Sequence, residues 1–122
     1  MNREIPEELS NLPGIDVAAG LQRVRGNLLL YKRLLSLFHR SCLDFEPQFR
    51  SALDDPEDPL AATRSTHSLK SAAGNIGALG VQASARELEI AGKERRQDID
   101  QRAEDLMREL RWGVEGLHHF DA

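Results

Sequence analysis

Residues 27–53 read "NLLLYKRLLSLFHRSCLDFEPQFRSAL", and their spacing decides the fold. Leu30, Leu34, Phe38, Cys42, Phe45, Phe49 and Leu53 follow one another at steps of three and four, the repeat of one face of an α-helix. Asn27 is suited to cap it, since its side-chain oxygen can accept from the first unpaired backbone amides. The stretch is predicted to be a long helix ending near Leu53. Pro47 lies inside it and is expected to kink or split it, because proline lacks an N–H and its ring crowds the preceding turn.

Breakers divide the rest of the chain in the same manner. "NLPGID" (residues 11–16) ends a polar lead-in, and Asp16 is placed to cap a short helix over about 16–24. "DDPEDP" (54–59) is a loop. A helix follows from Pro59 to Ile76, closed by "GALG" (77–80), and the next runs from Val81 to Lys93 with Val81, Ala85 and Leu88 inward. After the polar turn "ERRQD" (94–98), Ile99, Ala103, Leu106, Leu110, Val114 and Leu117 keep helical spacing to the end. No segment alternates as a strand does. The predicted fold is all-α: an antiparallel up-down-up-down four-helix bundle with an additional short N-terminal helix across one end. Its expected boundaries are a flexible lead-in (1–11), the bundle (12–118) and a short tail (119–122).

Composition agrees. The 122 residues suffice for one domain. Aromatics are only 5%, so the core must be mainly aliphatic, which favours helices over a β-sandwich. The net charge of −4 and the lack of a basic stretch argue against phosphate-driven nucleic-acid binding. One cysteine, Cys42, excludes an internal disulfide and fits a reducing cytoplasm. No apolar run is long enough to cross a bilayer, and "MNREIPEELS" is not a signal peptide, so no direct membrane contact is expected.

The segment "STHSLKSAAGNIGALG" (65–80) holds the chemistry. At roughly 100° per residue, with Leu69 inward, Ala62, Ala73 and Ile76 share the buried stripe, whereas His67 lies roughly 160° away. Ser71 and Gly74 lie on the same outer face. Both are small, and glycine within a helix costs about 1 kcal/mol against alanine, so a side chain at 74 would obstruct something. Lys70 flanks the histidine, and Arg64, one turn earlier, borders its face. On the next helix Gln82, Arg86, Glu89 and Lys93 form a polar flank. Glu89 or Gln82 can accept from Nδ1–H, fix the tautomer and leave Nε2 outward as a nucleophile. On geometry alone, an idle surface histidine is the simpler reading.

At these residues the sequence resembles the histidine-containing phosphotransfer (HPt) domains of bacterial multistep phosphorelays. In "HSLKSAAGNIGALG", His67 matches the family's phosphorylated histidine, Lys70 its lysine, and Gly74 and Gly77 its later glycines. Ser71 departs from the family's usual glycine after the lysine, and Glu89 stands where some members carry glutamine. The upstream "LPGIDVAAGLQRVRGNLLLYKRLLSLF" (12–38) is similar to the start of HPt domains at the C-terminal end of hybrid sensor kinases.

The resemblance implies a phosphoryl carrier: His67 takes the group from the aspartyl phosphate of a response-regulator receiver domain and passes it to another receiver. Lys70, with Glu89 and Gln82 near the ring, would assist, and Arg64, Ser71, Gly74 and Arg86 would meet the partner. Mg²⁺ is expected on the receiver, with no cofactor on this chain. The chain has neither a GxxxxGK[ST] loop nor a dinucleotide fingerprint, so it is not expected to phosphorylate itself from ATP. A monomer in the cytoplasm, stand-alone or part of an inner-membrane sensor kinase, is expected. The competing readings are a helical interaction module without phosphotransfer and the phosphoacceptor domain of a chemotaxis-type kinase. A metal or haem site among His39, His67, His118 and His119 lacks an HExxH motif or a pair of ExxH motifs. No role is assigned to Trp112, His118 or His119.

Overall fold

The computed structural model describes residues 7–10 and 12–117. Five α-helices follow a 3-10 turn at Glu7–Leu9: α1 (Val17–Arg23), α2 (Leu28–Leu53), α3 (Ala61–Ile76), α4 (Leu79–Lys93) and α5 (Ile99–Leu117), with no strand among the described residues. The predicted caps are present. The side chain of Asp16 accepts from the Ala19 amide at 3.0 Å, and that of Asn27 from the Leu30 amide at 3.1 Å. Gly77 ends α3 in the left-handed region at φ 84.

The four longer helices close on one another, α2 against α3, α3 against α4, α4 against α5, and α5 back against α2, while α1 packs on α2 and α3. Buried Phe38, Phe45 and Phe49 from α2, Leu69 and Ile76 from α3, Leu88 from α4 and Leu106 from α5 form one core. The side chains of Val114, and everything at His118 and His119, lie outside the described residues, as does the tail.

Three expectations change. α2 runs unbroken through Pro47, so the helix does not split. Pro47 is exposed, and so is Leu43, at 51%, whose carbonyl loses its helical donor to the proline. The buried face of α2 is also rotated at its ends. Tyr31 and Leu35 are buried, whereas Leu30 and Leu53 are 41% and 48% exposed. Tyr31 is drawn in by α1: its hydroxyl donates to the Ile76 carbonyl at 2.7 Å, and Gly20 of α1 lies against its ring. Finally, Leu9 is wholly buried, so part of the stretch read as a flexible lead-in packs on the core.

α1 is locked to the end of α3. The Asp16 amide donates to the Gly77 carbonyl at 2.7 Å, and the Asp16 carbonyl lies where a Cβ on Gly77 would stand. This contact and the Tyr31 bond both fix the C-terminal end of the helix that carries His67.

Candidate functional site

α3 turns Ala62, Thr66, Leu69, Ala73 and Ile76 inward. His67 is thereby carried to the outer face, with its side chain 57% exposed. The ring is not loose. Its Nδ1 lies 2.6 Å from Oε2 of Glu89 on α4. The other carboxylate oxygen of Glu89 accepts from Nζ of Lys70 at 2.6 Å, and Lys93, one turn along α4, approaches Oε2 at 3.5 Å.

Glu89 is the unusual member, because its side chain is only 5% exposed. Burial pushes its carboxyl up. Hydrogen bonds from Lys70 and His67 and the charges of Lys70 and Lys93 outweigh that, and hold it at about 2. An ionised carboxylate only accepts, so Nδ1 must carry the proton of the bond. In the neutral ring the lone pair is then on Nε2, at the edge turned away from Glu89.

The small residues behave less uniformly than their spacing implies. Ser71 is exposed. Gly74 is partly covered by its own chain: a Cβ there would come 2.6 Å from Nε2 of Gln82. Its missing side chain admits Gln82 from α4, so the obstruction avoided is internal. Of the two acceptors considered for the ring, Glu89 makes the bond and Gln82 packs over Gly74.

Arg64 is exposed and ion-paired with Asp58 of the preceding loop. Arg86 is exposed and borders a shallow groove with Lys70, Leu79 and Gln82, on the α4 side of His67. On the α2 side, Ser65 and Ser68 line a second groove with Ser41, Asp44 and Gln48. Lys93 joins the site although its sequence position marks it only as part of a polar flank. The available clue is its spacing, four residues after Glu89 on one helix.

Among the described residues no group of three or more His, Cys, Asp or Glu side chains is arranged to hold a metal ion, and no helix is long and apolar enough to cross a membrane. The family model of the Hpt domain matches residues 33–118, which include α3, α4 and the whole His67–Glu89–Lys70 cluster. No curated protein and no solved structure is matched significantly. With that match over most of its length, the chain belongs to the Hpt domain family, the histidine phosphotransfer modules of phosphorelays.

Proposed function

We propose that His67 is the phosphoacceptor of this domain, taking a phosphoryl group from the aspartyl phosphate of one receiver domain and giving it to an aspartate of another. The observation that carries this reading is the half-exposed ring seated through Nδ1 on a buried carboxylate. Nε2 attacks phosphorus in line. The N–P bond forms as the bond to the aspartyl oxygen breaks, and the carboxylate stays with the receiver.

Lys70 has two ammonium protons beyond the one directed at Glu89, and these offset charge gathering on the phosphoryl oxygens. Mg²⁺ belongs to the receiver. The docking receiver covers Arg64, Ser71, the Gly74–Gln82 contact and Arg86. We read the bundle as antiparallel up-down-up-down from its short links between packed neighbours, and the domain as a monomeric carrier without its own ATP site, on the cytoplasmic side as part of a hybrid sensor kinase or alone.

Incubation with a phosphorylated receiver and Mg²⁺ tests the proposal. Acid-labile, alkali-stable label on the wild type and none on His67→Gln is the expected result. Equal label on both overturns it, and no label on either leaves a helical interaction module as the better reading.

A further inference from the structure

We propose that Glu89 keeps the proton on Nδ1 of His67 after the ring is phosphorylated, holding phospho-His67 in its labile, readily transferred form at neutral pH. This rests on the reading of His67 as phosphoacceptor and concerns what happens to the ring next.

When Nε2 of a ring protonated at Nδ1 attacks phosphorus, both nitrogens become substituted and the ring carries a positive charge. Two forms then compete. If Nδ1 loses its proton, the phosphoimidazole is neutral, and onward transfer must expel an imidazolate anion. If the proton stays, an incoming carboxylate oxygen forms the new bond to phosphorus, the N–P electron pair returns to Nε2, and neutral imidazole leaves. Hydrolysis differs only in that water attacks, releasing inorganic phosphate and a proton to solvent. The proton on Nδ1 thus sets the lifetime of the carrier.

What faces Nδ1 is a carboxylate 2.6 Å away, almost wholly withdrawn from water. An opposite charge this close favours the cationic ring. The other charged groups nearby are weaker or point elsewhere. Lys70 opposes a ring cation, and its Nζ is bound to the far oxygen of the same carboxylate. Lys93 is 3.5 Å from Glu89 and 63% exposed, so water screens it. On α3, Arg64 is held by Asp58. Arg86 lies one turn before Glu89 along the α4 groove, and Asp44 of α2 borders the groove beside Ser65 and Ser68. A glutamine at 89 would still accept from Nδ1–H through its carbonyl, so it preserves ring position and removes only the charge.

The test loads His67 with potassium phosphoramidate, with no receiver present, and follows loss of the phosphoryl group by ³¹P NMR from about pH 5 to 10. The rate falls as Nδ1 deprotonates. Its midpoint is expected about one pH unit lower in Glu89→Gln than in wild type, so that phospho-His67 of the variant survives about tenfold longer above that midpoint. Lys70→Met, which removes a cation from the cluster, should move the midpoint upward. That direction does not follow from mere damage, and it decides the matter if the glutamine variant fails to fold. Coincident profiles for wild type and Glu89→Gln, or a downward shift in Lys70→Met, overturn the proposal. Failure of wild type to take up phosphate on His67 overturns the phosphoacceptor reading instead.

Discussion

Two glycine-to-alanine changes, chemically identical and both within helices, should have unequal effects on stability, one destabilising and the other not. At Gly20 a new Cβ would stand 2.5 Å from the Ile76 carbonyl oxygen, with the Tyr31 ring and hydroxyl also in the way. That carbonyl is backbone, and it already accepts the Tyr31 hydroxyl at 2.7 Å, so it has little freedom to retreat. Overpacking of this kind costs about 1–3 kcal/mol. Disturbing a buried hydrogen bond adds about 1–3 kcal/mol, against a helix-propensity gain of about 1 kcal/mol. Gly20→Ala is therefore expected to lose about 1–5 kcal/mol net, the sum of those contributions. At Gly74 the Cβ meets only the far end of Gln82, which can swing aside. Gly74→Ala should then be neutral or more stable by up to about 1 kcal/mol. Urea unfolding read as a midpoint at constant slope measures both. The two variants unfolding at the same midpoint would refute the seat of α1 on Tyr31 and α3.

Other expectations follow from single groups. Burial, with a contribution from Asp16, raises the Tyr31 hydroxyl to about 12. Since its folded value lies above the unfolded one, its contribution to stability is complete below about pH 10 and fades as pH rises toward 12. Tyr31→Phe should lack that alkaline slope and lose about 1–3 kcal/mol at pH 7 by orphaning the Ile76 carbonyl. Glu89 is the opposite case: its depressed value means its contribution is present above the unfolded carboxylate range and lost as pH falls through about 2, which a ¹³C titration of the Glu89 carboxyl should trace. Cys42, buried and raised to about 12 by that burial, should resist thiol reagents in the folded protein and react on unfolding.

Much of this was legible in residue spacing, and the failures have physical causes. The Asp16 and Asn27 caps and the outward position of His67 are local properties, set by backbone geometry within a turn or two. The ends of α2 were not. Leu30–Leu34–Phe38 and Tyr31–Leu35–Phe38 both satisfy helical steps, and only the arrival of α1 over Tyr31 selects the second. Pro47 does not split α2, and sequence spacing alone does not reveal that proline and Leu43, one turn earlier, both lie on the exposed side of the helix. Glu89 is buried although glutamate is seldom so. Its angle predicted proximity to the ring, but its withdrawal from water depends on cations from two helices meeting it. Gly74 misled for a related reason: the space it leaves is filled by a residue of α4, a contact that no single-helix projection contains.

The identity of the nitrogen that carries phosphorus tests the central claim most directly. ¹⁵N–³¹P coupling in the phosphorylated, ¹⁵N-labelled domain should appear at Nε2 of His67 alone, with Nδ1 still protonated against Glu89. Coupling at Nδ1 of His67, or at the ring of any other histidine, would contradict it.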